Sequence, residues 1–158
     1  MLLEPIGILH TPHRSLANIP IQPAGAADIH GTAEVYAAWA AGLADLDGFS
    51  HAILIYEFHL VRDKRLSVVP FLDDRPRGIF ATRAPTRPNP LGLSVVQILE
   101  VVDGTLRFVG ADMLDGTPLL DIKPWLPEFR APGEVRRGWL EGKVTAADKT
   151  RSDDRFIH

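Results

Sequence analysis

The segment GIFATRAPTRPNPLGL, at residues 78–93, constrains the fold of this chain more than any other segment. Proline fixes φ, removes an amide donor and forces the preceding residue into an extended conformation. Because Pro85, Pro88 and Pro90 lie so close together, residues 83–92 can form neither a helix nor a central strand. We predict a stiff polar loop there, which is either a site or a well-built structural turn. Its polar side chains are Arg83, Arg87 and Asn89.

Composition narrows the class of protein. A chain of 158 residues with 46% hydrophobic content predicts one domain with a packed core. Because there is no cysteine, structural disulfides, thiolate metal sites and cysteine nucleophiles are excluded. No apolar stretch approaches 18 residues and no signal-peptide pattern opens the chain, so we expect a soluble, cytoplasmic protein.

The charge of the chain is unevenly distributed. The net charge is −3, but residues 62–87 carry seven basic and three acidic side chains, which leaves +4 there and −7 elsewhere. Such a patch either selects a polyanion or is ordinary solvated surface. Its basic members are Arg62, Lys64, Arg65, Arg75, Arg77, Arg83 and Arg87.

The hydrophobic pattern predicts a mainly β fold. An alanine-rich helix is predicted at residues 37–46 and a shorter helix at 135–140, and Asp103-Gly104 signals a hairpin. Without βαβ alternation, this arrangement favours a compact antiparallel β-barrel over residues 1–143, followed by a charged, partly disordered tail over 144–158. The predicted strands are residues 2–11, 29–36, 52–61, 66–72, 78–82, 93–102, 105–111 and 118–122.

A second segment, ADMLDGTPLLDIKPWLP at residues 111–127, helps to interpret the first. Together the two strings resemble the YaeB/TrmO-like family, also called TsaA-like. Three shorter strings agree with it: PIGILHTPH, IPIQP and GFSHAILIYEFH. The resemblance implies a single-sheet β-barrel and a methyltransferase that uses S-adenosylmethionine. It also implies a tRNA substrate methylated on N6 of N6-threonylcarbamoyladenosine 37, and a homodimer with the cofactor near its interface.

The resemblance and the chemistry of the cofactor together suggest binding residues. Arg83 suits either the cofactor carboxylate or a phosphate. The adenine edge suits backbone groups in turns, where Gly116 allows close approach. Leu93 would pack on the adenine or ribose, and the histidine and leucine that end the third predicted strand match a family position. The predicted cofactor residues are Gln22, Pro23, His59, Leu60, Arg83, Leu93, Leu114, Asp115, Gly116 and Thr117.

Methyl transfer also requires a group that accepts the proton of the acceptor nitrogen. We hypothesise that Asn89 or Asp115 fills this role, although Asn89 is equally suited to stabilising its own turn. Contacts with tRNA phosphates are predicted for Arg87, Arg62, Lys64, Arg65, Arg75 and Arg77. No metal site is expected, and the absence of a GxGxxG motif excludes a Rossmann cofactor domain.

Three functions remain open from the sequence. The first is the tRNA methyltransferase, and the second is a methyltransferase with a different RNA or small-molecule acceptor. The third is a module that only binds S-adenosylmethionine.

Overall fold

The computed structural model describes residues 2–21, 23–129, 132–143, 149–153 and 156. Six strands form a closed antiparallel barrel in the order β1-β2-β7-β6-β3-β8, and β4 and β5 pair separately. The mainly β, antiparallel barrel predicted from the sequence is therefore confirmed. The strands are β1 Gly7–His10, β2 His30–Val35, β3 His51–Glu57, β4 Ser67–Val68, β5 Arg77–Gly78, β6 Leu91–Val102, β7 Thr105–Val109 and β8 Thr117–Pro124.

The core of the barrel follows from the two-residue period of its strands. In β3, Ala52, Leu54 and Tyr56 are buried while the residues between them are only partly covered. Alternate side chains of a strand point to opposite faces, so each barrel strand contributes one row to the interior. Four other strands also contribute large buried side chains, namely Leu9, Val96, Leu106, Phe108 and Leu119.

The hairpin between β6 and β7 is confirmed. Asp103 and Gly104 both have positive φ, at 49° and 73°. A two-residue turn with both central residues in this region matches the twist of the flanking strands, which explains the choice of aspartate and glycine.

The strand directions decide where the long loops lie. Because neighbouring strands are antiparallel, β1, β3 and β7 end at the same rim of the barrel at which β2, β6 and β8 begin. The connections at residues 11–29, 58–90 and 110–116 therefore gather at this rim, which we call the loop end. It collects both segments that the sequence singles out.

The connection at residues 58–90 has a small core of its own. Val68, Ile79 and Ala84 are buried there with Phe156, whose ring packs at 5.2 Å against Phe71 in an edge-on contact. Asp73 accepts hydrogen bonds from Arg77 and from Lys143, and these cations hold the pKa of its carboxyl below the usual range.

Three sequence predictions were wrong in detail. The predicted helix at residues 37–46 is replaced by two 3₁₀ turns, Ala40–Leu43 and Leu46–Gly48. Asp45 between them has a φ of 65°, which an α-helix cannot contain. Only Leu43 and Leu46 are buried, and a spacing of three suits the tighter 3₁₀ turn.

The other two corrections concern shorter segments. Residues 78–82, predicted as a strand, contain the 3₁₀ turn Ile79–Ala81, whose Ile79 carbonyl accepts the Thr82 hydroxyl. At 135–140 only Gly138–Leu140 forms a 3₁₀ turn.

The tail boundary at residue 144 stays a prediction. Residues 144–148, 154–155 and 157–158 lie outside the described part of the chain. Ser152, which is described, exchanges hydrogen bonds with Asn18 and Ile19. Within the described residues, no helix is long and apolar enough to cross a membrane.

Candidate functional site

Residues 78–93, which we call the proline segment, are stabilised by one of their own arginines. Nη1 of Arg87 donates to the carbonyl oxygens of Thr82, Ile79 and Ala84, at 2.8, 3.2 and 3.4 Å. The guanidinium also lies 5.9 Å from the ring centre of Phe80. Arg87 therefore closes the loop on itself, and its predicted contact with RNA stays a prediction.

One polar group of this loop lacks a partner. Thr86 is fully buried, and within the described residues its Oγ1 has no hydrogen-bond partner. Its carbonyl oxygen, in contrast, accepts the Arg65 amide at 3.0 Å. A buried hydroxyl without a partner is costly, so the Thr86 side chain lowers the stability of this loop while its backbone supports it.

The turn at Asp115-Gly116, which we call the aspartate-glycine turn, is hydrogen-bonded directly to the barrel and to the loop after β1. The amides of Asp115 and Gly116 donate to the carbonyls of His13 and Leu9 at 2.8 and 2.9 Å. Thr117 Oγ1 donates to the Leu114 carbonyl at 2.7 Å. Gly116 has a φ of 77°, and a Cβ placed on it would meet nothing within 4 Å. The turn is thus rigid, and its outer backbone is open.

The carboxylate of Asp115 is fully engaged. Oδ1 accepts the Thr11 amide at 3.0 Å and lies 3.6 Å from Nδ1 of His10, and Oδ2 pairs with Arg14. Asp115 borders a cavity of about 780 Å³. Among the described residues that line this cavity, none belongs to the proline segment. The lining is His10, Thr11, Pro12, Arg14, His30, Gly31, Thr32, Leu99, Glu100, Arg107 and Asp115.

An electrostatic interaction joins the two segments at a different aspartate, Asp112. Burial raises the pKa of the Asp112 carboxyl to about 7, while the Ser94 hydroxyl and the charge of Arg83 act to lower it. Arg83 belongs to the proline segment and Asp112 to the loop that ends in the aspartate-glycine turn. Their electrostatic interaction links the two segments, and Arg83 is exposed.

Asp112 belongs to a polar chain that the sequence analysis missed. Ser94 Oγ donates to Asp112 Oδ1 at 2.6 Å, and Tyr56 Oη lies 3.0 Å from Ser94 Oγ. Tyr56 and Ser94 are 3% and 1% exposed. A signal was present, because Ser94 occupies an inward position of the apolar strand LGLSVV and Asp112 interrupts an apolar run.

The remaining predicted cofactor residues are spread along the loop end. His59 is partly buried and Leu60 is 48% exposed, in the turn that follows β3. Leu93 is 58% exposed on the outer face of β6. Gln22 lies outside the described residues, and Pro23 begins a 3₁₀ turn. Their grouping around one ligand stays a prediction.

Asn89, the second predicted proton acceptor, is exposed. Its backbone carbonyl accepts the Leu91 amide at 2.8 Å, which ends the proline segment and starts β6. This contact supports the turn-stabilising role.

Some side chains of the predicted basic patch form ion pairs, and others are exposed. Arg77 pairs with Asp73 at 2.7 Å and Arg65 with Asp63 at 3.3 Å. Arg62, Lys64 and Arg75 are exposed. Phe80, on the same connection, is 76% exposed. In the described part of the chain no three histidine, aspartate or glutamate side chains are grouped to hold a metal ion.

The chain is similar to known proteins over most of its length. Residues 8–131 match the tRNA-methyltransferase O N-terminal domain. A protein of Pyrococcus abyssi named as a probable S-adenosyl-L-methionine-binding protein is 51% identical over 154 residues, which cover 98% of this chain and 84% of that protein. The tRNA (adenine(37)-N6)-methyltransferase of Escherichia coli is 37% identical, over 78% of this chain and 57% of that enzyme.

Solved structures agree with the fold. A crystal structure of TrmO superposes with a TM-score of 0.74 at 37% identity, covering 87% of this chain. A TrmO structure from Pseudomonas aeruginosa gives 0.73 at 34% identity, covering 89%. The chain spans 63% and 62% of those two proteins.

Proposed function

The chain belongs to the family of tRNA-methyltransferase O N-terminal domains, and from that premise we propose that it is an S-adenosylmethionine-dependent methyltransferase. We propose as its substrate N6 of N6-threonylcarbamoyladenosine 37 in tRNA. The observation that carries the proposal is the family match over residues 8–131, which includes both segments of the loop end. The tRNA methyltransferases of Escherichia coli and mouse are 37% and 32% identical to this chain.

The residues of the loop end fit this cofactor in charge and in backbone access. Arg83 exposes a guanidinium, which suits a carboxylate. The turn at Gly116 leaves its main chain open to a nucleoside edge.

Methyl transfer requires mainly that the acceptor nitrogen and the methyl group be aligned. The bound cofactor supplies an electrophilic methyl group on a sulfonium sulfur. The contribution of the chain is to hold the acceptor nitrogen in line with that methyl, and alignment of this kind can contribute up to about 7–11 kcal/mol. The bracing of Arg83 by the proline segment and the attachment of the aspartate-glycine turn to β1 support such alignment.

The surface around the proline segment suits an RNA loop. Arg62, Lys64 and Arg75 present cations, and Phe80 presents an exposed ring beside them along the connection. Phosphates bind cations, and unpaired bases stack on aromatic rings. These side chains support tRNA as the partner.

We also propose a homodimer. The outer face of β6 exposes Leu91, Leu93 and Leu99, at 40%, 58% and 48%. Leu93 is also a predicted cofactor contact, so pairing through this face would bring a second chain near the cofactor. Analytical ultracentrifugation of the wild type and of Leu93→Asp tests the pairing. A monomeric wild type would refute it.

A second function is favoured by one observation. Archaeal relatives that match this chain over most of their own length are named S-adenosyl-L-methionine-binding proteins, whereas the chain spans 57% of the Escherichia coli enzyme. A module that binds the cofactor without methylating tRNA is the alternative.

One experiment separates the two functions. Methyl-labelled S-adenosylmethionine is incubated with the protein and with tRNA that carries the threonylcarbamoyl group, and the matched control is the same transcript without it. We expect label only in the modified tRNA. Equal labelling of both transcripts would refute the substrate, and calorimetric binding of the cofactor with no labelling would support the binding module.

A further inference from the structure

Tyr56, Ser94 and Asp112 form a hydrogen-bonded chain with a fixed direction. Ser94 has one hydroxyl proton and donates it to Asp112 Oδ1 at 2.6 Å. The Tyr56 hydroxyl must therefore donate to Ser94 across the 3.0 Å contact. Both hydroxyl dipoles point toward the carboxylate. The chain runs from the barrel interior to the loop end, where it terminates on Asp112.

The position of Tyr56 depends on a glycine in the neighbouring strand. Tyr56 pairs with Gly92, and a Cβ on Gly92 would lie 2.1 Å from the tyrosine ring. The ring therefore packs directly on the backbone of β6. An edge-on contact with Phe58, at 5.5 Å, fixes its other side. With the ring held in this way, the hydroxyl has a defined direction toward Ser94, which lies two residues further along β6.

We propose that Asp112 is the proton acceptor of the methyl transfer and that Ser94 and Tyr56 are its positioning residues. This inference rests on the proposed function. The bond between N6 and the methyl carbon forms as the bond between that carbon and sulfur breaks, which leaves a neutral thioether. The N6 proton passes to the Asp112 carboxylate, which is thereby neutralised and later releases the proton to water.

The two acceptors suggested by the sequence are poorer candidates. Asp115 is committed to the Thr11 amide and to the guanidinium of Arg14. The amide of Asn89 can accept a hydrogen bond but cannot take up a proton at neutral pH. Asp112 is the carboxylate near Arg83 that ends a buried hydroxyl chain, and it lies three residues before Asp115.

The environment of Asp112 matches the task. A general base works best when its pKa lies near the working pH, and burial raises the pKa of Asp112 to about 7. The charge of Arg83, from the proline segment, acts on this carboxyl, and the Tyr56 hydroxyl of β3 lies at the far end of the same hydrogen-bonded chain. On the preceding loop, Nε2 of His13 contacts the neighbouring carbonyl of Ala111 at 2.9 Å. The hydroxyl of Ser94 acts on the carboxyl directly.

The first test is the isosteric variant Asp112→Asn. We expect single-turnover methyl transfer to modified tRNA to fall about 10²–10⁴-fold, the range of general base catalysis. Calorimetry should show cofactor affinity within a few-fold of the wild type. Transfer at the wild-type rate would overturn the assignment. A loss of cofactor binding that accounts for the whole loss of transfer would overturn it too, since Asp112 would then be a cofactor contact.

The second test uses Ser94→Ala and a readout other than activity. In the free protein the side-chain carboxyl carbon of Asp112, assigned by its loss in Asp112→Asn, should titrate by NMR with a midpoint near 7. Removing the donor that stabilises the carboxylate should move that midpoint upward. The lower limb of the rate profile should move with it. An unchanged NMR midpoint, or a rate profile that does not move with the midpoint, would refute the positioning role of Ser94.

The two proposals fail in distinguishable ways. If the wild type labels no tRNA but the Asp112 carboxyl titrates as described, the proposed function fails and takes the proton-transfer role with it. If the wild type labels modified tRNA and Asp112→Asn does so equally well, only the proton acceptor is wrong. Tyr56→Phe serves as a graded control, because it retains the ring and removes one hydroxyl.

Discussion

The proline segment and the aspartate-glycine turn reach the same end of the barrel by different means. The first is stabilised from within, by fixed φ angles and by the Arg87 guanidinium on three carbonyls. The second hydrogen-bonds directly to the main chain of Leu9 and His13, in and just after β1. One segment is therefore a self-contained brace, and the other is an extension of the barrel.

We interpret this difference as a difference in the roles of the two segments. A brace can vary in its exposed side chains without disturbing the barrel, and under the proposed function this freedom would serve the selection of an RNA. A turn built on the barrel holds its carboxylates in place, which suits chemistry. The two meet where the charge of Arg83 acts on Asp112, so the comparison can be tested by perturbing each side separately.

The largest expected effect concerns Asp112 and pH. Its pKa is raised from 3.8 to about 7 in the folded chain, so the folded state binds the proton more tightly than the unfolded state does. The stability associated with this group is present below about pH 4 and is lost as pH rises through 7. Asp112→Asn should therefore be more stable than the wild type at pH 8, on the order of 4 kcal/mol, and nearly equal at pH 4. Urea unfolding at both pH values measures this, and a difference that does not depend on pH would contradict it.

A smaller effect is expected from the brace itself. Arg87→Ala removes charged hydrogen bonds to the carbonyls of Thr82, Ile79 and Ala84, and we expect a loss of about 2 kcal/mol in the free energy of unfolding. The matched control is Arg75→Ala, an exposed arginine on the same connection, which should change stability by less than about 0.5 kcal/mol. Urea denaturation followed by far-ultraviolet circular dichroism measures both. Equal losses would show that Arg87 does not brace the loop.

Two threonines, one in each segment, should respond with opposite sign to the same change. Thr117→Val removes a hydroxyl that donates to Leu114 and should cost about 1 kcal/mol. Thr86→Val removes a buried hydroxyl that has no partner in the described part of the chain, and it should be neutral or stabilising by up to about 1 kcal/mol. Thermal denaturation of the two variants decides the matter, and a destabilised Thr86→Val would show that its hydroxyl has a partner.

The sequence predicted what depends on local pattern and missed what depends on assembly. Strand alternation and the turn at Asp103-Gly104 gave the barrel, because both signals lie within a few residues. The helix predicted at residues 37–46 failed because its apolar spacing is satisfied by 3₁₀ turns on either side of Asp45.

The candidate site shows the same division. The sequence singled out the two segments, but the proton acceptors hypothesised from it were Asn89 and Asp115, and the folded chain pairs Asp115 with Arg14. The importance of Asp112 arises from residues 56 and 18 positions away in the sequence, Tyr56 and Ser94. The sequence shows Ser94 at an inward position of its strand, but only strand pairing brings it to Tyr56.

The smallest effect concerns RNA binding and compares two arginines: one on the connection that holds the proline segment, and one that pairs with the aspartate-glycine turn. Arg75 is exposed, and if it contacts a phosphate, Arg75→Ala should reduce the slope of log affinity against log salt by about 0.7 to 0.9. Arg14 is the control, because Asp115 already neutralises it, and Arg14→Ala should leave the slope unchanged. Filter binding of tRNA over a series of potassium chloride concentrations measures both slopes. If Arg14→Ala lowered the slope and Arg75→Ala did not, the RNA would contact the part of the loop end that holds the aspartate-glycine turn rather than the connection that holds the proline segment.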